Sequence, residues 1–366
     1  MAGRSKMEVL VMLSELIRSY KGKRVLLTGH TGFKGSWMLL LLNYLGAEVH
    51  GYALEAEEND LYSLLNGDDL CHSTIADIRD VSTLSKVMKE NQFDYIFHMA
   101  AQAIVLESYQ DPSYTMETNI MGTVHLLDTL RSLDYKTRLV LLTTDKVYKN
   151  EEKQIAFKEE DSLGGKDPYS CSKSCVEMIS KSFFRAYFAN ENPYGIKHDV
   201  FIARCGNVIG GGDRSSYRLT TDIVKGLESG TPISLRSPAS TRPWLHVLDA
   251  LTAYLLLGKS EFKEEDNTLP TFNFGPTEQE IYTVEELTQM MIKEWGTGQF
   301  QLAQPSDNQL ESTYLRLDVQ KAKDHLMWQA AYSTQDAVKA TIDWYKHAKG
   351  RERAYSMDQI KAFFTS

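Results

Sequence analysis

Cysteine is scarce. Four are spread over 366 residues, and no two pairs share the short spacing that a zinc site needs. Cys71 and Cys205 stand alone. Cys171 and Cys175 fall four residues apart on a predicted helix, which suits two partly buried thiols in a reducing cytosol better than a disulfide. No metal is expected. Positive charge is not in excess either. Lys and Arg number 40 against 49 Asp and Glu, for a net charge of −9 and a pI of about 5.6. That balance gives no general basic face for nucleic acid or an anionic membrane, while a local cluster can still hold an anionic small molecule. No apolar run approaches the ~20 residues of a bilayer span. Residues 1–20 carry an apolar patch from Val9 to Leu13 set between Glu8 and Glu15, with no small-residue cleavage site after it. This reads as an extra amphipathic helix that covers the core or a partner subunit, not as a signal peptide. Internal repeats and low-complexity tracts are absent.

What is present is a glycine turn between an apolar strand and a helix. Val25 to Leu27 reads as a buried strand, and Gly29, Gly32 and Gly35 follow in a G-x-x-G-x-x-G spacing. Gly29 permits the tight turn, Gly32 lets backbone approach a pyrophosphate, and Gly35 lets the helix pack close to the sheet. The free N–H groups of the helix start then favour phosphate. Strand and helix continue to alternate at α/β spacing, which predicts a Rossmann-like doubly wound parallel sheet. Strands are predicted at Glu48–Leu54, Phe93–Met99, Arg138–Thr144 and Val200–Ala203. Beyond Gly212 helices are predicted near 217–229, 246–258, 283–295, 318–326 and 334–347, with short strands near 233–236 and 271–274. This suggests a smaller mixed α/β substrate domain. The expected division is a helical extension at 1–20, a dinucleotide-binding domain at 21–206 with a returning segment 243–273, and a substrate domain at 207–242 and 274–366.

Several positions bear on a dinucleotide. The second strand ends without the acidic residue that usually holds the adenosine ribose. His30 and Lys34 are expected near the adenosine side, so NAD is favoured and NADP stays open. Asp77, with Ile78 beside it, either accepts from the adenine amino group or caps the helix that starts near Val81. Ala100, Ala101 and Gln102 end the next strand with residues small enough for close approach. Asn119, a poor helix former inside a helix, is either a satisfied core amide or a support for the cofactor site.

Tyr169 and Lys173 lie four residues apart at a helix start, so they project from one face. A phenol ionises near pH 10, and a neighbouring ammonium is expected to lower that value and make a base for a hydroxyl proton. Thr144, at the end of the preceding strand, supplies a hydrogen bond to the substrate oxygen.

The set resembles the extended short-chain dehydrogenase/reductase family of nucleotide-sugar enzymes, and within it the CDP-glucose 4,6-dehydratase branch. The resemblance rests on Thr28-Gly-His-Thr-Gly-Phe-Lys-Gly35, Phe97–Gln102, Asn119–Thr123, Thr143–Lys146, Gly164–Lys173, Gly206–Asp213, Arg242–Val247, Asn273–Pro276 and Tyr314–Asp318, and covers Lys21 to about Tyr345. It implies bound NAD contacted by Gly29, His30, Thr31, Gly32, Phe33, Lys34, Gly35, Asp77, Ile78, Ala100, Ala101, Gln102, Asn119, Thr143, Tyr169 and Lys173. It implies a nucleotide-hexose substrate held by Thr144, Asn207, Arg214, Arg242 and Glu311. Oxidation at C4 by Tyr169, Lys173 and Thr144 would be followed by loss of the C5 proton and the C6 hydroxyl, with Asp145 and Lys146 as the extra acid–base pair, and by hydride return to C6. A cytoplasmic homodimer through the helices beginning near Asp111 and Tyr169 is also implied. Arg204 is either structural or phosphate-facing, and Trp244 either stacks on a base or belongs to the core.

The branch pattern is broken at Leu106, where an Arg is usual, at Arg214, where a Trp is usual, and at Val147, Leu310, Ser312 and Gln154–Lys158. These changes leave a different nucleotide hexose open as the substrate. A 4-epimerase would need Thr144, Tyr169 and Lys173 but not Asp145 and Lys146, and a non-catalytic NAD-binding protein would need none of the five.

Overall fold

The computed structural model describes residues 6–189, 198–277, 280–303 and 314–365. Helix α1 (Lys6–Tyr20) precedes β1 (Arg24–Thr28), α2 (Phe33–Tyr44), β2 (Glu48–Ala53), β3 (His72–Ile75), α3 (Val81–Glu90) and β4 (Tyr95–His98). Helix α4 follows as Pro112–Met116, a π-helical turn Glu117–Met121 and Gly122–Leu130. Then come β5 (Arg138–Thr144), α5 (Pro168–Phe183), β6 (Asp199–Cys205), α6 (Leu219–Ser229), α7 (Val247–Lys259), β7 (Thr271–Phe274), α8 (Val284–Trp295), α9 (Thr334–His347) and α10 (Glu352–Phe363).

The seven strands form one parallel sheet in the order β7-β6-β5-β4-β1-β2-β3. Parallel strands covered on both faces read as unbroken apolar runs, as Leu139 to Leu142 does. Val140 and Leu142 pack with α2 and α7, while Leu139 and Leu141 pack with α3 and α4. The chain moves outward from β1 to β2 and β3, then crosses back to place β4 on the other side of β1. Ligands of such sheets bind at that switch point, outside the strand C-termini.

The N-terminal helix covers the core. Val9, Met12, Leu16 and Tyr20 are buried, and the Tyr20 hydroxyl donates to Leu255 O at 2.7 Å on α7. Residues 271–274 are the seventh strand of the main sheet, paired with β6. Helix α10, which the sequence pattern did not suggest, packs on α2, with the rings of Phe364 and Tyr44 stacked. Among the described residues, no helix is long and apolar enough to cross a membrane.

Candidate active site

The glycine turn leaves β1 with Gly29 at φ +75°. A Cβ there would sit 2.8 Å from Ala100 N, and a Cβ on Gly35 would sit 2.0 Å from Gly29 O. Both positions therefore require glycine, and together they draw α2 onto the ends of β1 and β4. Gly32 differs. It is the N-cap of α2 with no side-chain cap, and a Cβ there would meet only Gly29 O at 3.5 Å. The open space lies in front of uncapped helix N–H groups, which fits a pyrophosphate. Thr31 Oγ1 turns to Leu54 O at the end of β2, and Phe33 is buried.

Two cofactor-side expectations are corrected. His30 is fully buried, its ring resting over Gly51 and its Nε2 2.8 Å from Ser73 Oγ. Burial lowers its pKa to about 4, so it is a neutral core histidine. Lys34 points toward the catalytic end, not the adenosine side. Its ammonium lies 6.0 Å from the Tyr254 ring and interacts electrostatically with Cys205, Arg218, Asp213 and Asp145. Burial holds its pKa below the ordinary lysine value.

Asp77 binds Arg79 through both carboxylate oxygens, with Nη2 at 2.7 Å, and that contact lowers its pKa. The helix cap is Asp80, which accepts from the backbone of Ser82 and Thr83. Ile78 is buried against Gly122. Asn119 sits in the π-helical turn, where its Oδ1 accepts from Gln102 N at 2.8 Å and its Nδ2 donates to Gln102 O and to Ser172 Oγ. It is a satisfied amide that also fixes the loop Ala100–Gln102 to α5.

Asp167 caps α5 and Pro168 occupies its first turn, which places Tyr169 at the helix start and Lys173 one turn on. Both are buried. The Tyr169 phenol lies near Thr144, which acts on its ionisation, and Thr144 Oγ1 donates to Asp145 Oδ1 at 2.8 Å. Asp145 is buried and its Oδ2 has no hydrogen-bond partner among the described residues, so it is not half of a surface ion pair. Lys146 reaches Asp145 Oδ1 at 3.9 Å and Asn207 Oδ1 at 3.5 Å. Thr144, Asp145, Lys146, Tyr169 and Asn207 thus converge, while Thr143 faces away and donates to Glu177 at 2.7 Å.

The expected direction of the Tyr169 shift is reversed. Burial raises the phenol pKa to about 12, against a smaller lowering by the neighbouring Thr144. Burial, and then the charge of Lys34, lower Lys173 to about 7 while Glu177 opposes. A lysine near neutrality pulls weakly on a buried phenol.

On the substrate side, Arg242 is buried and lines a cleft with Arg316, Tyr314, Glu280 and Thr277. The sequence pattern does not single out Arg316, yet alternation signals it: all four of residues 314–317 border the cleft, with Leu315 and Leu317 buried and Tyr314 and Arg316 half-buried. Arg218, also not singled out, pairs with buried Asp213 at 3.0 Å and acts electrostatically on Tyr169 and Lys34. Arg214 lies 3.5 Å from Glu228, over the Tyr345 ring. Glu311 falls outside the described residues. Arg204 is structural, fully buried against Glu177, and Trp244 is core.

A profile of the family described as GDP-mannose 4,6 dehydratase matches residues 26–341. The CDP-glucose 4,6-dehydratase of Salmonella typhimurium is 38% identical over 330 residues, covering 89% of this chain and 91% of that one. The chain belongs to this dehydratase family. Among solved structures, the dTDP-glucose 4,6-dehydratase of Streptomyces venezuelae superposes with a TM-score of 0.76 at 24% identity, over 91% of this chain and 99% of that one. The UDP-glucose 4-epimerase of Thermus thermophilus gives 0.74 at 24%, over 89% and 99%. At those identities the likeness fixes the fold and does not separate the two chemistries.

Proposed function

We propose that this chain is an NAD-dependent nucleotide-sugar 4,6-dehydratase that converts CDP-glucose to CDP-4-keto-6-deoxyglucose and water. The observation that carries this reading is Asp145, buried beside Thr144 with one carboxylate oxygen unpartnered among the described residues and Lys146 next to it. Exchange of configuration at C4 has no use for such a pair, whereas elimination needs both an acid and a base. The identity to the Salmonella typhimurium protein supports CDP-glucose as the substrate.

The glycine turn, Ala100–Gln102 and the face of Tyr169 and Lys173 would hold the cofactor. The core placement of His30 leaves that residue unable to favour a 2′-phosphate, which supports NAD over NADP. Bound NAD supplies a positively charged acceptor that takes hydride from C4 and gives it back at C6. Tyr169 Oη receives the C4 hydroxyl proton while Thr144 Oγ1 holds that oxygen. With the phenol pushed up to about 12 by burial, its proton is held tightly until positive charge enters the site. The ketone at C4 acidifies the C5 hydrogen. Asp145 and Lys146 form the pair that takes that proton, protonates the departing C6 oxygen so that it leaves as water, and returns a proton to C5 as hydride reaches C6. Arg242 and Arg316 grip the diphosphate, which suits paired guanidinium groups.

A homodimer is part of the proposal. Met121 on α4 and Met178 on α5 are exposed, and they lie on the two helices expected to meet a second copy. A cytoplasmic location fits four free thiols. Mass spectrometry of the purified protein with NAD and CDP-, UDP-, dTDP- and GDP-hexoses tests the reading. Loss of one water from CDP-glucose is expected. Loss from another member moves the substrate, and a changed sugar configuration without mass loss overturns the dehydratase assignment.

A further inference from the structure

Beneath the site lies a charged pair that the mechanism above does not use. Glu177 and Arg204 are both fully buried. Arg204 Nε donates to both Glu177 carboxylate oxygens, at 2.9 and 3.1 Å, and Nη2 adds a bond of 2.5 Å. A buried ion pair is a weak source of stability, because desolvation cancels most of the attraction, and apolar residues of similar volume often do as well. What such a pair supplies is geometry, since both partners must keep every bond they make.

The remaining bonds of this pair run to the segment that carries the acid–base groups. Glu177 Oε1 accepts from Thr143 Oγ1, directly before Thr144. Arg204 Nη1 donates to Tyr148 Oη at 2.6 Å, two residues after Lys146, and to Glu159 O at 3.1 Å. Tyr148 Oη donates in turn to Asn273 Oδ1 at 2.7 Å, and Asn273 Nδ2 donates to Phe157 O. The two arms therefore grip residues 143 and 148, on either side of Thr144, Asp145 and Lys146. The anchor itself is Glu177, one helical turn beyond Lys173 on α5.

We propose that Glu177 and Arg204, acting through Thr143 and Tyr148, are positioning residues for the elimination step. The proposal rests on the dehydratase reading. It assigns the pair to holding Asp145 and Lys146 in register with Tyr169, so that C5 deprotonation and loss of the C6 hydroxyl follow C4 oxidation at once.

Tyr148→Phe and Thr143→Val test it, because the first removes two hydrogen bonds, to Arg204 and Asn273, the second removes one, to Glu177, and neither removes a charge. Tyr148→Phe keeps the ring stacked on Phe157. In both variants kcat with CDP-glucose should fall about tenfold while KM stays within about twofold, the pattern of an interaction that matters to the reaction more than to binding. The near-ultraviolet absorbance of reduced cofactor should rise during turnover, since oxidation continues while water loss lags. Hydrogen exchange of backbone amides in 143–159 should quicken with α5 unchanged. A wild-type kcat overturns the proposal whatever the exchange shows. So does a loss of kcat that tracks lost folded protein with no reduced cofactor. If the wild-type chain removes no water from CDP-glucose, the substrate reading fails instead. The exchange comparison then decides the positioning claim, and unchanged exchange overturns it.

Discussion

Gly32→Ala separates the fold from the cofactor site. Gly32 has φ −74° and ψ 169°, which any L-residue adopts, and the added methyl would meet only Gly29 O at 3.5 Å, an ordinary contact. The protein without ligand should therefore keep its structure. Restricting the unfolded chain is worth about 0.4–1 kcal/mol of stability, or about 0.5–1.3 °C in melting temperature for a chain of this size. The methyl occupies the space in front of the uncapped N–H groups of α2. A phosphate excluded from one of those groups loses a charge-assisted hydrogen bond of about 1.5–3 kcal/mol, which raises the Kd for NAD roughly 10- to 150-fold. Isothermal titration with NAD and a melting curve without it give the two numbers. An unchanged Kd with unchanged melting would refute the assignment of this turn to the pyrophosphate. A lowered melting temperature would refute the claim that the space is open. Gly35→Ala is the contrast, because its methyl would strike Gly29 O at 2.0 Å and the protein itself should be destabilised.

Tyr169→Phe should bind NAD normally and lose turnover by at least about 100-fold; near-normal turnover would remove Tyr169 as the base. Asp145→Asn should still reduce NAD in a single turnover with CDP-glucose but release water at least about tenfold more slowly, read by stopped-flow absorbance against product mass. Lys34→Met removes a like charge that lowers Lys173, so the pH at which Lys173 loses its proton, about 7 in the wild type, should move upward in a kcat/KM profile. Acid should destabilise the protein through its buried histidines. Burial lowers His30 and His198 to about 4, and His98 and His246 to about 3. Their contribution is whole above about pH 6.5 and is lost as pH falls toward 4, because unfolding takes up protons that the folded state refuses. Near pH 5 the four together give a slope of about 5 kcal/mol per pH unit. A melting temperature that stays level from pH 7 to 5 would contradict their burial.

Features set by local chemistry could be read from the chain alone. The glycine spacing, the Asp167-Pro168 helix start and the apolar run Arg138–Thr144 depend on near neighbours, and the structure places each where the sequence pattern does. The signs of the perturbed charges could not be read that way. Tyr169 and Lys173 are one helical turn apart, which suggests an ammonium that sharpens a phenolate. In the fold both are buried, and burial penalises both charged forms. A second cation, Lys34, then adds to the penalty on Lys173, and it arrives from a helix 139 positions earlier in the chain. His30 is a similar case. Its ring lies over Gly51, so its burial depends on the absence of a side chain on the neighbouring strand. Residues that touch only their sequence neighbours are thus legible from pattern, whereas a residue whose charge is decided by other strands and helices is not. The proposed acid–base pair, Asp145 and Lys146, lies between these limits. Its position directly after Thr144 is visible in the sequence, but only the fold shows Asp145 closed off from water. A buried carboxylate directly after Thr144 is what the proposed elimination needs and an epimerisation would not.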